Sequence, residues 1–138
     1  MKKILLASHG KLASGIRSSI KILTGKEKNL RVIDAYVDDS DFTGQIIDFI
    51  ASIGANDQGF IFTDIYGGSV NQKVVSEVIN SGKKNIYVIT GMNLPIVLSI
   101  LLATDNVSMH NLQEMINDSQ LKIVETKVNE NKEDDFFN

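Results

Sequence analysis

The feature that most constrains the fold is a regular alternation of short apolar runs with longer amphipathic segments. Four runs rich in Ile, Val, Leu, Phe or Tyr are bounded by polar residues or glycine, which is typical of buried strands. The four predicted strands are Lys3–Ser8, Arg31–Val37, Gln58–Asp64 and Asn85–Thr90. Because these runs are apolar on both faces, we expect central parallel strands that are covered by helices.

Helical patterns lie between these runs and after the last of them. The first predicted helix carries Leu12, Ile16, Ile20 and Leu23 at spacings of three and four, which predicts one apolar stripe facing the core. Four further helices are predicted, the last of them short. They are a helix capped by Asp41, then Ser69–Asn80, Leu94–Ala103 and Met109–Asn117.

Strands that alternate with helices are joined by right-handed crossovers. The chain is therefore predicted to be an α/β domain, with a doubly wound sheet of four parallel strands and helices on both faces. Gln120–Val128 alternates apolar with charged residues, which favours an edge strand. We assign residues 1–128 to one domain and residues 129–138, which are polar and acidic, to a flexible tail.

Composition and charge argue against several classes of function. The chain has no cysteine, so disulfides and thiolate metal sites are impossible, and this composition is compatible with the cytosol. Its longest apolar stretch is too short to span a bilayer, so we expect a soluble protein without direct membrane insertion. The net charge is −3 and the basic residues are dispersed, which argues against nucleic-acid binding.

Polar residues follow the strands at the edge where chemistry is expected. In open α/β sheets, ligands bind at the carboxyl ends of the strands. His9 follows the first strand, and an isolated histidine there is most often an ordinary surface residue. Asp64 ends the third strand, which we expect to neighbour the first. Its carboxylate can accept a hydrogen bond from one imidazole nitrogen and leave the other as a nucleophile. Asp64 can equally cap the next helix, and the two roles are compatible.

A glycine pair, Gly67 and Gly68, leads through Ser69 into the third predicted helix. Such a turn presents backbone N–H groups and a hydroxyl to an anion, although glycine pairs also form ordinary turns. Neither nucleotide-binding fingerprint, G-x-G-x-x-G or G-x-x-x-x-G-K-[ST], is present. The other histidine, His110, has no acidic residue at a recognisable spacing, and we interpret it as a structural or surface residue.

Three motifs together resemble a known family. They are His9-Gly10 after a strand, Phe62–Asn71, which reads Phe-Thr-Asp-Ile-Tyr-Gly-Gly-Ser-Val-Asn, and Gly91–Pro95, which reads Gly-Met-Asn-Leu-Pro. In order and spacing, residues 2–125 resemble the enzyme IIA component of the mannose family of the bacterial sugar phosphotransferase system. The resemblance implies that Gln120–Val128 forms a fifth, antiparallel strand that is exchanged between the subunits of a homodimer.

The resemblance also implies a function and a set of site residues. The protein would be a cytoplasmic phosphotransferase that needs no cofactor or metal. His9 would accept a phosphoryl group from the histidine-containing phosphocarrier protein and pass it to an enzyme IIB. Asp64 would orient His9. The remaining implied site residues are Gly67, Gly68 and Ser69 around the phosphoryl group, and Tyr66, Met92 and Asn93 on the partner surface.

Two departures and three alternatives accompany this resemblance. Val70 stands where the family often has proline, and Ile65-Tyr66 stands where it often has Thr-Trp or Leu-Trp, which affects the partner surface. We expect the IIB domain, which is fused to IIA in some relatives, to be a separate polypeptide. The alternatives are the phosphotransferase subunit of a carrier-dependent dihydroxyacetone kinase, a regulatory phospho-receiver using Asp38 and Asp39, and a flavodoxin-type binding domain.

Overall fold

The computed structural model describes residues 1–104 and 106–128, so the predicted tail, residues 129–138, lies outside the described residues. Within them the chain forms four strands and five α-helices, with a 3₁₀ turn at Glu27–Asn29. The strands are β1 (Lys2–His9), β2 (Leu30–Ala35), β3 (Gln58–Thr63) and β4 (Ile86–Ile89). The helices are α1 (Leu12–Thr24), α2 (Thr43–Ala51), α3 (Ser69–Ser81), α4 (Leu94–Leu102) and α5 (Met109–Asp118).

All four strands are parallel, in the order β2-β1-β3-β4. The predicted four-stranded parallel sheet is therefore confirmed, and β1 and β3 are neighbours as expected. The register places Ala7 opposite Thr63 and His9 opposite Ala35. Because the strands run in one direction, the residues that follow β1, β2 and β3 meet at one edge of the sheet.

The core has two halves because side chains alternate along each strand. Ile4 and Leu6 of β1 pack in the half that contains α1, α4 and α5. Leu5 and Ala7 point to the opposite face, where they pack in the half that contains α2 and α3. Helices therefore cover both faces, which confirms the layered architecture. No helix in the described residues combines the length and the apolar character needed to cross a bilayer.

Two local predictions were wrong in detail. Ile16 and Ile20 are buried in α1, but Leu12 and Leu23 are 48% and 58% exposed. The buried face is centred on Ala13, Ile16 and Ile20, and the two leucines flank it. The second strand was predicted to continue to Val37, whereas β2 ends at Ala35, because Tyr36 takes a φ of 66° and leaves the extended conformation.

Residues 121–128 form no strand with the sheet of their own chain. Four apolar side chains of this segment are largely exposed: Leu121, Ile123, Val124 and Val128. The predicted fifth strand is therefore not part of the single-chain sheet, in which β4 pairs with β3 and has no strand on its other edge among the described residues. Its exchange between subunits stays a prediction.

Candidate functional site

A tightly bonded turn after β1 holds His9 at the rim of the sheet. The Ser8 side chain is fully buried, and its hydroxyl accepts a hydrogen bond from the Ala13 N–H at 2.8 Å and donates to the Gly10 carbonyl at 3.1 Å. Gly10 takes a φ of 59°, which favours glycine, and its N–H donates to the Ala35 carbonyl at 2.7 Å. These bonds fix the backbone around His9, whose side chain is 43% exposed.

Asp64 holds His9 through two hydrogen bonds to one carboxylate oxygen. Its Oδ2 accepts the backbone N–H of His9 at 2.8 Å and lies 2.8 Å from the ring Nδ1. Because an ionised carboxylate only accepts hydrogen bonds, Nδ1 carries the proton and the lone pair of the neutral ring resides on Nε2. The structure thus brings together the two residues that the sequence analysis paired.

The electrostatics of Asp64 follow from this arrangement. Burial alone would raise the pKa of the Asp64 carboxyl, since its side chain is only 11% exposed. The hydrogen bonds from the backbone and ring of His9, with the charge of the protonated ring, outweigh burial and hold that pKa below its ordinary value. Asp64 is therefore ionised at neutral pH, and its negative charge faces the Nδ1 side of the ring.

The Nε2 side of His9 faces two hydroxyl groups. Ser69 Oγ lies 3.2 Å from Nε2, and the Tyr36 hydroxyl lies 2.8 Å from Ser69 Oγ. The Tyr36 ring also packs against the imidazole, with 5.4 Å between the ring centroids. The sequence analysis named Ser69 and missed Tyr36. No signal in the sequence marks Tyr36, because it lies inside the apolar run that predicts the second strand.

The glycine pair shapes the turn more than it supplies free donors. The Gly67 N–H donates to Asn71 Oδ1 at 3.2 Å, and the Gly68 N–H donates to the Ile65 carbonyl at 3.2 Å. A Cβ on Gly68 would lie 2.7 Å from Ile65 Cγ2 and 3.4 Å from His9 Cε1, so glycine allows the close approach of the turn to the ring.

The first turn of α3 supplies the backbone donors that the glycine pair does not. Helix α3 begins at Ser69 without a side-chain cap, so the N–H groups of Ser69, Val70 and Asn71 have no acceptor in the described part of the chain. Unpaired N–H groups and the positive end of the helix dipole favour an anion at this position.

The three residues predicted for a partner surface differ in exposure. Tyr66 is 78% exposed beside the site. Met92 is only 7% exposed and packs in the core, which contradicts a role for its side chain on a partner surface. Asn93 is half-buried because its side chain caps α4, accepting the Ile96 N–H at 3.0 Å, and donates to the Ser119 carbonyl at 2.7 Å. Met92 and Asn93 therefore stabilise the loop between β4 and α4, Met92 by packing in the core and Asn93 by its hydrogen bonds.

Two other candidate side chains of the sequence analysis make only local contacts in the described residues. Asp38 is exposed and its carboxylate is occupied by the backbone and hydroxyl of Ser40, as expected for a local turn. His110 is 82% exposed and lies 3.1 Å from Glu114, an acidic partner one helical turn away that the sequence analysis overlooked. Within residues 1–104 and 106–128, no three His, Cys, Asp or Glu side chains are grouped as metal ligands would be.

Comparison with known proteins identifies the family. The family model EIIA-man, described as the PTS system fructose IIA component, matches residues 3–117. The chain belongs to this family. The resemblance seen in the sequence is therefore confirmed, and this IIA chain is a component of the sugar phosphotransferase system.

Solved structures share the fold of this IIA chain. A candidate phosphoenolpyruvate-dependent sugar phosphotransferase system permease from Klebsiella pneumoniae is 28% identical, with a TM-score of 0.74 over 86% of this chain and 85% of that one. The PTS IIA protein associated with the fucose utilization operon of Streptococcus pneumoniae is 20% identical, with a TM-score of 0.69 and coverage of 88% and 92%. The mannose/sorbose-specific IIA subunit of Enterococcus faecalis is 17% identical, with a TM-score of 0.70 and coverage of 94% and 100%. At these identities the last two show the shared fold alone.

Proposed function

We propose that this IIA chain is a cytoplasmic phosphoryl carrier that accepts a phosphoryl group on His9 from the histidine-containing phosphocarrier protein and passes it to an enzyme IIB. One observation carries the proposal. The ring is held at Nδ1 by the Asp64 carboxylate at 2.8 Å, while Nε2 is the ring nitrogen away from that carboxylate, on an exposed side chain at the rim of the sheet. A nucleophile that is oriented by a buried carboxylate is the arrangement that covalent transfer requires.

The geometry favours Nε2 as the nitrogen that is phosphorylated. The Nε2 lone pair attacks the phosphorus in line, the phosphorus–nitrogen bond of the donor histidine breaks, and its electron pair returns to the donor ring. The His9 ring, now substituted at Nε2 and protonated at Nδ1, becomes cationic, and Asp64 stabilises that charge. The reverse sequence delivers the group to enzyme IIB. Each step exchanges one phosphorus–nitrogen bond for one bond to the acceptor, and it needs no oxidant or metal.

The first turn of α3 is the element that would hold the transferred group. Phosphoryl transfer depends mainly on position and on stabilising charge on the peripheral oxygens. The Ser69 hydroxyl lies 3.2 Å from Nε2, and the N–H groups that follow it are free in the described structure. We assign to this turn, more than to the N–H groups of Gly67 and Gly68, the role of receiving the phosphoryl oxygens.

Labelling with radioactive phosphocarrier tests the proposal. The wild-type chain should acquire one phosphoryl group that is lost in acid and is stable in base, whereas an acyl phosphate is lost in base as well. His9→Ala should abolish the labelling. His110→Ala is the matched control, because His110 is equally a histidine but lies exposed on α5, and it should label normally. Label that persists in His9→Ala, or label that base removes, would contradict the proposal. A chase with enzyme IIB should then remove the label.

The proposal includes a homodimer formed by strand exchange. The segment 121–128 exposes alternating apolar side chains, and β4 has an edge that no described strand covers. An uncovered edge strand presents unpaired backbone groups and is suited to pairing with a second chain. A groove beside this edge is lined by apolar and small polar side chains, among them Val75, Ile79, Val88 and Thr90.

The dimer is tested by one substitution in that segment. Ile123 is fully exposed in the single chain. Burying an isoleucine side chain contributes about 1.5–3 kcal/mol. Because a two-fold dimer buries two copies, Ile123→Asp should raise the dimer dissociation constant by about 100-fold or more. Sedimentation equilibrium measures this, with Lys122→Ser as the neighbouring polar control. A wild-type chain that remains monomeric at high micromolar concentration would contradict the exchange.

A further inference from the structure

The residue after β2 has an unusual backbone. Tyr36 takes a φ of 66°, and it is the one non-glycine residue with positive φ in the described part of the chain. This left-handed conformation disfavours a side chain with a Cβ and persists only where the surroundings compensate for its cost. Such residues are concentrated at functional sites. The contacts of the Tyr36 side chain indicate which interactions compensate for this conformation.

Tyr36 is held in place by packing on two sides. Its ring meets the buried Phe42 ring edge-on, at 87° and 5.4 Å between centroids. Its other side packs against the His9 imidazole at 5.4 Å and 34°. Edge-to-face and tilted contacts at these distances are favourable aromatic geometries. Tyr36 is still 53% exposed, and its hydroxyl lies 2.8 Å from Ser69 Oγ.

The direction of each hydrogen bond follows from Asp64. Since Asp64 fixes the proton of His9 on Nδ1, Nε2 can only accept, and the Ser69 hydroxyl donates to it. The Ser69 oxygen is then the acceptor for the Tyr36 hydroxyl. The result is a chain of hydrogen bonds in one direction, from Tyr36 through Ser69 to Nε2. Without the Tyr36 hydroxyl, the Ser69 proton is free to rotate away from the nitrogen.

We propose that Tyr36 is a positioning residue that acts through Ser69. Its hydroxyl donates to the Ser69 oxygen and keeps the Ser69 hydroxyl beside the nitrogen at which the phosphoryl group is exchanged. When phosphorus takes the Nε2 lone pair, the Ser69 proton shifts its hydrogen bond from Nε2 to an adjacent phosphoryl oxygen. The inference rests on the proposed function for the identity of the reaction. It goes beyond that function by assigning a role to a residue outside the glycine-rich turn. It predicts that the hydroxyl of Tyr36 affects the transfer rate only when Ser69 is present.

Tyr36→Phe isolates the hydroxyl, because it keeps the ring contacts. Two phosphoryl donors are used: the phosphorylated carrier protein, and phosphoramidate, a small donor whose phosphorus–nitrogen bond breaks with loss of ammonia as the bond to His9 forms. Losing one neutral hydrogen bond should slow His9 phosphorylation by about 3- to 10-fold with either donor. The KM for the carrier protein should stay unchanged. Tyr87→Phe, in β4, is the matched control and should react normally.

His110 provides an internal reference with phosphoramidate. It lies exposed on α5, so its phosphorylation rate, followed separately by peptide mass spectrometry, should be the same in Tyr36→Phe and wild type. The decisive comparison is a double-mutant cycle with Ser69→Ala. If Tyr36 acts through Ser69, the double variant should be no slower at His9 than Ser69→Ala alone.

Three results would overturn the inference: an unchanged His9 rate in Tyr36→Phe, a change in KM alone, or an equal slowing by Tyr36→Phe in the Ser69→Ala background. Failure of the proposed function has a different signature. In that case the carrier protein does not phosphorylate wild-type His9, whereas phosphoramidate still reveals the dependence on Tyr36 and Ser69, and the positioning role stands.

Discussion

Replacing Asp64 with asparagine removes one charge from the site and preserves its shape. In the wild-type chain the backbone N–H of His9 donates to Asp64 Oδ2 at 2.8 Å, and the amide oxygen of the introduced asparagine can accept the same hydrogen bond. The substitution removes the negative charge that faces Nδ1–H, also at 2.8 Å. In the proposed reaction this interaction changes, because the ring that attacks phosphorus is neutral and the phosphorylated ring is cationic. The carboxylate therefore stabilises the product, and the transition state in part, more than the resting state.

The size of the effect follows from the bond and its exposure. A hydrogen bond to a charged group contributes about 1.5–3 kcal/mol. His9 is 43% exposed, so solvent screens its charge, and we take the lower end, about 1.5–2 kcal/mol. Because the transition state carries part of the ring charge, Asp64→Asn should slow phosphorylation of His9 by up to about 10- to 30-fold. Most of the stability of the fold should remain, because the sheet and both core halves are untouched.

Rapid-quench measurement of a single turnover with labelled carrier protein tests this value. Asp57→Asn is the matched control, because it makes the same chemical change at the amino end of β3, where Asp57 accepts the Gly54 N–H at 2.8 Å. It should transfer at the wild-type rate. An Asp64→Asn rate equal to wild type would refute the argument that the carboxylate stabilises the ring charge. A loss of more than about 1000-fold would equally refute it, because one screened hydrogen bond cannot supply so much.

Two further predictions concern the same site. The folded pKa of Asp64 lies below its ordinary 3.8, so its stabilising contribution is complete above pH 3.8 and is lost as pH falls through the lower folded value. The difference in urea unfolding free energy between wild type and Asp64→Asn should therefore shrink on acidification below pH 3.8, and a growing difference would contradict the sign. Gly68→Ala places a Cβ 2.7 Å from Ile65 Cγ2 and 3.4 Å from the His9 ring, so single-turnover transfer should slow by about 10-fold or more. Gly15→Ala, whose Cβ would meet nothing within 4 Å, should transfer the phosphoryl group normally. Its free energy of unfolding should be higher than that of the wild type by up to about 1 kcal/mol, because alanine favours the helix more than glycine does.

The parts of the fold that depend on periodicity were predictable from sequence. The four strands and five helices of the described residues were all located, because short continuous apolar runs in the strands and three-to-four spacing in the helices report which side chains are buried. The pairing of His9 with Asp64 was predictable for the same reason. Once β1 and β3 are neighbours in a parallel sheet, the residues at their carboxyl ends must be close.

The features that were missed depend on contacts that periodicity does not report. Tyr36 looked like part of a strand, and nothing in a single sequence announces a tyrosine with positive φ. Met92 lies in a loop motif at the expected edge, yet its N–H donates to the Thr63 carbonyl and its side chain packs in the core. The glycine N–H groups were expected to be free, but Ile65 and Asn71 already occupy them.

The one-sided presentation of the imidazole also has a kinetic consequence. Asp64 and the β1–α1 turn occupy the inner side of His9, so under the proposed function both protein partners would approach from the same direction, over Tyr36 and Tyr66. Donor and acceptor then exclude each other, and the carrier has to leave one before it can meet the other. Such a carrier should follow ping-pong kinetics, with parallel double-reciprocal plots. An excess of unphosphorylated donor protein should compete with the acceptor protein for the phosphorylated carrier.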